Sequence, residues 1–362
     1  MNSNRPSRIR PVLYALLAAL LFGLNAPAAK LLVARVDPLF MAALLYLGAG
    51  AGMLALGWLR RGSASVVRES RLTRSELPYI LLMVLLDIAS PILLMLGLSR
   101  ANAGTAALLG NFEIAATAFF ALVLFKEAIG RRMWIAIALI TAASVLLSLN
   151  NIADFSFSTG ALLVLGASLC WGLENNTTRK LSIKDPLQIV VIKGFGSGVG
   201  ALIVAVIWGS LSASLLSILA ALGLGFVAYG LSIFFYVTAQ RDLGAARTSA
   251  YYAAAPFIGM ALSWLLLRET LSLAFLAALF IMLLGAGLAV SENHTHRHLH
   301  PQLTHDHRHS HIDGHHNHTH TDSFNGEHSH VHMHEELLHE HPHLPDIHHQ
   351  HDHDQPDHPA DQ

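Results

Sequence analysis

The sequence predicts an all-α membrane protein with ten transmembrane helices, arranged as two inverted five-helix repeats and followed by a polar tail. Three observations lead to this prediction. Residues 1–291 consist mainly of apolar runs of roughly 18 residues or more, which is the length that crosses a hydrocarbon core. The composition changes abruptly near residue 292, and motifs of the first half recur in the second half. In lipid, long runs without polar alternation satisfy their backbone groups as helices.

The composition divides the chain into two unlike segments. Residues 1–292 carry 21 Lys+Arg and 12 Asp+Glu, whereas residues 293–362 carry two Arg, 12 acids and all 24 histidines. The formal net charge of −1 is therefore a cancellation and says nothing about partners. Cys170 is the single cysteine, which excludes an internal disulfide framework and a thiolate metal cage within one chain.

The ten candidate spans are separated by short connections, apart from a polar loop at 60–77. They are residues 12–33, 38–59, 78–98, 102–125, 132–149, 159–178, 187–207, 214–238, 244–267 and 271–290. The first resembles a signal peptide, because arginines precede it and Ala26-Pro27-Ala28 resembles a cleavage site. Its apolar character continues to Val33, which is long enough to span, so we expect a retained first helix.

The distribution of Lys and Arg predicts the orientation of the helices. The amino terminus and every second loop hold 16 of these residues, and the alternate loops hold four. Cytoplasmic loops carry the excess of basic residues. We therefore expect both termini in the cytoplasm and a location in the bacterial cytoplasmic (inner) membrane.

An internal repeat relates the two halves of the membrane segment. Phe22-Gly23-Leu24-Asn25 matches Trp171-Gly172-Leu173-Glu174, Asp37-Pro38 matches Asp185-Pro186, Gly48-x-Gly50-x-Gly52 recurs as Gly196-x-Gly198-x-Gly200, and Phe125-Lys126-Glu127 recurs as Leu267-Arg268-Glu269. Four matches in order indicate duplication. The predicted domains are residues 1–150 and 151–291, one five-helix repeat each, and a disordered cytoplasmic tail at 292–362. Because five is odd, the second repeat enters the membrane in the opposite sense, which is typical of secondary transporters.

Ten helices in two repeats, each with a basic residue and a glutamate ending its fourth helix, resemble the drug/metabolite transporter superfamily, EamA type. The resemblance covers about residues 12–290 and rests on the repeat architecture, Lys126-Glu127, Arg268-Glu269 and Pro256. The family's usual proline in the fourth helix is replaced in the first half, where Asn111-Phe112-Glu113-Ile114 stands instead. The resemblance implies two EamA-like repeats and transport of small metabolites rather than catalysis. It implies no particular substrate.

Polar side chains inside the predicted spans are candidates for lining a translocation cavity. They are Asp87, Asn111, Glu113, Glu174, Asn175 and Tyr229. A charge in hydrocarbon costs at least about 2.5–3.5 kcal/mol, so it is retained where it faces a cavity or a partner. For Asp87 and Glu113, which lie mid-span, the alternative is a buried structural pair. A carboxylate at either position that binds and releases a proton could couple proton movement to transport.

Other charged and small residues have plainer interpretations. Glu174 lies near a helix end and equally fits an interfacial position, and Lys193 is expected to extend toward the cytoplasm. Glu127 and Glu269 sit at span ends, and we expect structural roles, with pairing to neighbouring basic residues. The repeated glycine triplets are expected to let helix backbones approach closely.

The tail is an alternation of histidine with other residues. The candidate metal ligands are His294, His296, His298, His300, His305, His307, His309, His311, His328, His330, His332 and His334. Too few large apolar residues accompany them to form a core, so the tail is expected to be disordered. Neutral imidazole binds Zn, Ni, Co and Cu, and histidine-rich tracts are typical of metal binding. The tail could sense metal and gate transport, deliver or collect metal as substrate, or be a pH-responsive or neutral appendage.

Three functions remain open on the sequence. The first is a secondary transporter that exports a small metabolite in exchange for protons, because no Gly-x-x-x-x-Gly-Lys motif for ATP hydrolysis occurs. The second is a divalent metal ion (Ni, Co or Zn) transporter, and the third is a membrane metal sensor without transport. No cofactor is required for any of them. The expected partners are the lipid bilayer, a small-molecule substrate and divalent metal ions, with no nucleic acid, and a homodimer stays open.

Overall fold

The computed structural model describes residues 9–60, 74–125, 130–151, 156–179, 181, 184–209, 211–243, 248, 251–290, 294–300, 303–309, 328–334 and 337–343. The described membrane segment is built from helices. In chain order they are α1 Ile9–Gly23, α2 Asn25–Leu32, α3 Pro38–Arg60, α4 Leu77–Arg100, α5 Ala103–Leu109, α6 Phe112–Phe125, α7 Arg131–Ser148, α8 Thr159–Arg179, α9 Pro186–Ile207, α10 Leu215–Gly225, α11 Ser232–Leu243, α12 Ala255–Leu267 and α13 Leu273–Val290. A 3₁₀ turn at Arg74–Glu76 precedes α4, and a π-helical segment at Phe226–Leu231 joins α10 to α11.

Eight helices in the described part of the chain are long and apolar enough to cross a membrane. They account for eight of the ten expected spans, with α1–α2 counted together, α5–α6 together and α10–α11 together. The sixth expected span is present as α8, but its last turns are polar, ending in Glu174-Asn175-Asn176-Thr177-Thr178. The ninth contains α12 from Ala255 to Leu267, and a turn at Ala253 and Ala254 separates this helix from the helical residues Tyr251 and Tyr252.

The helices pack mainly in pairs that join the first half of the chain to the second. The most extensive pairings are α3 with α9, α4 with α8, α7 with α13, α1 with α11 and α5 with α12. The broad core between them contains many alanines and methionines, such as Ala42, Met41, Met95 and Ala167. Small side chains let helix axes approach closely, so association in lipid rests on backbone and side-chain packing.

The repeated glycines lie at these close contacts. A Cβ atom on Gly48 would stand 2.1 Å from the backbone oxygen of Leu222, and one on Gly198 would stand 2.8 Å from the backbone nitrogen of Leu47. On Gly194 it would stand 2.4 Å from the Cα atom of Gly50. Because any larger residue would push these backbones apart, the triplets have the packing role that the sequence predicts.

Exposed and buried surfaces are reversed relative to a water-soluble protein. Leu273 and Leu216, on the outside of the bundle, are 87% and 75% exposed, whereas Asp87 is fully buried. Large exposed apolar surface of this extent is stable against lipid rather than water. The protein is an integral membrane protein with several apolar helices.

Short strands occur outside the helices. Leu149–Asn151 (β1) and Ser156–Phe157 (β2) form a small antiparallel pair between α7 and α8. In the tail, β3 pairs with β6 and β4 with β5, both antiparallel; the strands are β3 His294–His300, β4 Leu303–His309, β5 His328–His334 and β6 Leu337–His343.

The backbone of the tail is described only in these four strands, and the expectation of a disordered tail stays a prediction. Their register places His296 opposite His341 and His307 opposite His330. The His-x-His alternation has the two-residue period of a strand. The structure describes these strands by their backbone only, and His311 lies outside the described residues.

Candidate functional site

Two carboxylates share one lysine in the interior of the helix bundle. The Nζ atom of Lys193 on α9 lies 2.9 Å from the Oε1 atom of Glu174 on α8 and 3.2 Å from the Oδ2 atom of Asp87 on α4. The side chains of these three residues are at most 9% exposed. Thr178, one turn after Glu174, donates a short hydrogen bond to the same carboxylate oxygen. The charges therefore stabilise one another away from lipid and water.

An aromatic pair extends from this ion cluster toward α2. The hydroxyl of Tyr46 donates a 2.9 Å hydrogen bond to the Oδ1 atom of Asp87, and its ring packs against that of Tyr229 at a centroid distance of 5.2 Å. The hydroxyl of Tyr229 accepts a 3.0 Å hydrogen bond from the Nδ2 atom of Asn25. Tyr229 belongs to the π-helical segment, whose extra residue per turn interrupts the regular helix at this position.

A cavity of about 100 Å³ opens beside Asn25. Its walls come from both halves of the chain and are mainly apolar, with three aromatic side chains and three polar ones. The aromatic residues are Phe22, Trp171 and Tyr252, and the polar ones are Asn25, Asn111 and Glu113. Small residues, including Gly23, Gly110 and Gly259, leave the space that the cavity occupies.

The break between α5 and α6 places the polar groups on the cavity wall. At Gly110 and Asn111 the backbone tightens, because Asn111 N–H donates to Leu108 O at 3.0 Å and Glu113 N–H to Gly110 O at 3.1 Å. Glu113 consequently lies in the first turn of α6. Its Oε1 atom accepts a 2.6 Å hydrogen bond from the Nδ2 atom of Asn175 on α8.

The structure separates the six predicted cavity residues into three pairs. Asn111 and Glu113 line the cavity. Asp87 and Glu174 lie in the ion cluster instead, because Lys193 holds both. Tyr229 and Asn175 contact the lining residues Asn25 and Glu113 through hydrogen bonds without lining the cavity themselves.

The expectations for two charged residues require correction. Lys193 does not extend toward the cytoplasm, because two buried carboxylates hold its ammonium group in the bundle. Glu174 is 3% exposed and faces Lys193 inside the bundle rather than the protein surface, while the neighbouring Asn175 and Asn176 donate hydrogen bonds to α6. Periodicity places these residues on helices but does not reveal which helix they face.

The family motif Arg268-Glu269, which follows α12 at the end of the ninth predicted span, has a structural role. The two carboxylate oxygens of Glu269 accept hydrogen bonds from the backbone N–H groups of Ala103 and Gly104, at 2.7 and 2.8 Å. Glu269 thus caps the first turn of α5 rather than simply pairing with a basic neighbour. Arg268 adopts a left-handed conformation with φ of 53°, which ends α12, and Pro256 lines the cavity. Lys126 and Glu127 lie outside the described residues.

Several residues of the site were not among those predicted from the sequence. Asn25 and Phe22 belong to the repeated motif Phe22-Gly23-Leu24-Asn25, so their position in the repeat could have identified them. Tyr252 lies close to the predicted proline motif. Tyr46 carries no such signal, because one tyrosine in an apolar helix usually packs in the core.

Among the described residues, no group of three or more His, Cys, Asp or Glu side chains could hold a metal ion. The candidate metal ligands at His294, His296, His298, His300, His305, His307, His309, His328, His330, His332 and His334 lie in the tail strands, whose side chains the structure does not describe. The metal-binding expectation for the tail therefore stays a prediction.

Comparison with known proteins gives concordant results for the membrane segment. An uncharacterized transporter of Methanothermobacter thermautotrophicus strain Delta H is 27% identical over 289 residues, which cover 74% of this chain and 82% of that protein. A solved structure described only as "Crystal structure of protein" matches with a TM-score of 0.57 at 19% identity, over 77% of this chain and 95% of that one, which shows the fold alone. The profile of the EamA-like transporter family matches residues 9–149 and again residues 158–291. The chain therefore belongs to the EamA-like transporter family.

Proposed function

We propose that this protein is a secondary transporter that exports a small polar or amphipathic metabolite in exchange for protons. Its family consists of membrane transporters rather than enzymes. The observation that carries the proposal of proton exchange is the cluster in which Asp87 and Glu174 share Lys193. The chain contains no Gly-x-x-x-x-Gly-Lys motif for ATP hydrolysis, which favours a gradient as the source of energy.

The charges of this cluster do not balance. With both carboxylates ionised, two negative charges face one ammonium group, and the cluster carries a net charge of −1. With one carboxylate protonated, it is neutral. A buried uncompensated charge is costly, so the cluster favours uptake of a proton when the site is closed to water. Opening to water on one side would reverse that preference and release the proton.

The cluster and the cavity both lie between the two family-matched halves. Asp87 belongs to the first half, and Glu174 and Lys193 belong to the second. The substrate site of an inverted-repeat transporter lies between its repeats, which rock against each other around that site. Tyr46, Tyr229 and Asn25 connect the cluster to the cavity, so a change of protonation at Asp87 has a short route to the substrate.

The proposed architecture has ten transmembrane helices in two inverted five-helix repeats. The packing of α3 with α9, α5 with α12 and α7 with α13 supports it, because each pairs a helix with its repeat equivalent. The pairs α1 with α11 and α4 with α8 exchange under the same two-fold relation. The 16-to-4 distribution of Lys and Arg favours cytoplasmic termini and a bacterial cytoplasmic membrane.

The tail adds a proposed metal-binding function. Its 24 histidines are ligands suited to Zn, Ni, Co or Cu, and a cytoplasmic tail of this kind could gate transport in response to metal. The same histidines favour a second candidate, transport of a divalent metal ion. Against it, the sequence before His294 contains no histidine and one cysteine. A membrane metal sensor without transport is the third alternative.

One comparison separates these functions: metabolite leakage and cellular metal content, measured in cells with and without the gene. We expect the gene to increase the leakage of particular metabolites and to leave total Zn, Ni and Co unchanged. A change in metal content alone would favour the metal transporter. No change in either quantity, with metal-dependent effects elsewhere in the cell, would favour the sensor.

Substitutions test the roles of the carboxylates in the same assay. Asp87→Asn and Glu113→Gln should each abolish proton-driven export while the protein still reaches the membrane. Glu76→Gln is the matched control, because Glu76 pairs with Lys184 at 3.0 Å outside the cluster and the cavity. Export that survives both Asp87→Asn and Glu113→Gln would remove these residues from the mechanism.

A further inference from the structure

The cavity contains buried hydrogen-bond acceptors that lack donors. The Oδ1 atoms of Asn25 and Asn111 have no hydrogen-bond partner in the described part of the protein, and these residues are 3% and 1% exposed. The Nδ2 atom of Asn111 donates to the carbonyl oxygen of Leu108 at 3.3 Å. Because a carbonyl can only accept, this contact fixes the amide so that Oδ1 is the atom left free. An unpaired buried acceptor costs about 1–3 kcal/mol.

The charge on the described part of the cavity wall is negative. Glu113 is the one charged residue among the described residues that line it. Two ammonium groups inside the protein have other partners: Lys193 pairs with Asp87 and Glu174, and the partly buried Lys30 donates to the carbonyl oxygens of Leu98 and Ala101 at 2.5 and 2.6 Å. A ligand carboxylate would therefore meet a like charge and no cation.

The remaining walls suit an organic cation. The rings of Phe22, Trp171 and Tyr252 line the cavity, and Phe22 lies 6.4 Å from Trp171 and 5.8 Å from Tyr252 between ring centroids. Aromatic faces attract cations, by about 0.5–2 kcal/mol depending on desolvation. A divalent metal ion stripped of its water would instead need more oxygen ligands than the one carboxylate and two amides present here.

We propose that the cavity binds a small molecule with a protonated amino group, whose N–H donors reach Glu113, Asn111 and Asn25. The proposal rests on the proposed transport function and names its substrate class. The ammonium group supplies what this wall lacks, namely a positive charge and several hydrogen-bond donors. Its apolar part packs among Phe22 and the other rings.

Thermal stabilisation of the purified full-length protein in detergent tests this substrate class with three probes of similar size. Phenethylamine carries charge and N–H donors, its N,N,N-trimethyl derivative carries charge alone, and 3-phenylpropionate carries the opposite charge. We expect phenethylamine to raise the unfolding temperature and 3-phenylpropionate to have no effect. The trimethyl derivative should bind at least about tenfold more weakly than phenethylamine, which corresponds to about 1.4 kcal/mol.

Two variants assign the contacts. Glu113→Gln should weaken phenethylamine binding by at least about tenfold, and Glu76→Gln should leave it unchanged. Asn111→Ala removes one acceptor and keeps the charge, so it should weaken phenethylamine binding while leaving the trimethyl derivative unaffected. The Asn111 result stands by itself if Glu113→Gln does not fold.

Several results would overturn the proposal. They are equal binding of 3-phenylpropionate and phenethylamine, wild-type amine affinity in Glu113→Gln, no stabilisation by phenethylamine, or stabilisation by Mg²⁺ that depends on Glu113. In each case, gene-dependent leakage of other metabolites would show that transport stands and only the substrate class fails. Loss of that leakage difference, by contrast, would refute the proposed function itself.

Discussion

The Nζ atom of Lys193 lies 3.2 Å from the Oδ2 atom of Asp87, so a cation of the second family-matched half neutralises an acid of the first. Glu174 competes for the same ammonium group at 2.9 Å. This contact joins α4, α8 and α9, and a change in its protonation alters how the two halves attract each other. The ion cluster is therefore both a structural link and the proposed coupling site.

Removing the lysine should be strongly destabilising. We expect Lys193→Met to lower the free energy of unfolding by about 3–5 kcal/mol, because it leaves two buried carboxylates without their cation. Thermal unfolding in detergent measures the change. Adding Asp87→Asn and Glu174→Gln to Lys193→Met should recover most of the stability.

The matched control for that variant is Lys184→Met. Lys184 pairs with Glu76 alone among the described carboxylates, at 3.0 Å and with side chains 15% and 18% exposed, so its loss should cost less than the loss of Lys193, which leaves two buried carboxylates. Equal losses in Lys193→Met and Lys184→Met would contradict a special role for the buried cluster.

The contact between α3 and α10 at Gly48 leaves no room for a side chain. In Gly48→Ala the new Cβ atom would stand 2.1 Å from the Leu222 backbone oxygen, so α3 and α10 must separate, at a cost of about 1–3 kcal/mol. Gly223→Ala is the control, because a Cβ atom there meets nothing within 4 Å. Unfolding temperatures of the two variants should differ clearly, and a neutral Gly48→Ala would contradict this packing.

Reporter fusions test the inverted topology. Fusions after residues 75, 154 and 292 should report the cytoplasm, the periplasm and the cytoplasm, respectively, if each repeat contains five transmembrane helices. The basis is the distribution of Lys and Arg along the loops. A periplasmic signal after residue 292 would exclude the proposed ten-helix arrangement.

Truncation after Ser291 should remove metal binding without unfolding the membrane segment. The repeat closes at Val290, where α13 ends, and the tail contains few large apolar residues. Calorimetry with Zn or Ni should show binding of several ions to the full-length protein and little to the truncated one. A large fall in the unfolding temperature of the truncated protein would instead place the tail inside the folded domain.

The same binding should depend on pH. The ordinary pKa of histidine is about 6.5, and protonated imidazole cannot bind a metal ion. Metal affinity is therefore expected to be high at pH 7 and to fall as the pH is lowered toward 5. Affinity that stays constant over this range would exclude histidine as the principal ligand.

The sequence by itself determined the membrane class, most of the helices and the duplicated organisation. Apolar runs of membrane-spanning length are a local property, so α3, α4, α9 and α13 lie close to their predicted bounds. Asp87 and Glu113 were identifiable because a charge inside such a run is costly. The repeat of Asp37-Pro38 and the glycine triplets was likewise readable along the chain.

Only the tertiary structure decided which polar groups meet. Lys193 and Asp87 are far apart in sequence, and helical periodicity does not indicate which neighbouring helix a side chain faces. The packing of α4 against α8 and α9 turned Lys193 inward, where the sequence had indicated an extension toward water. The packing of α2, α5 and α12 placed Asn25, Asn111 and Glu113 around one cavity and left Asp87 outside it, because helix contacts depend on the shapes of both surfaces.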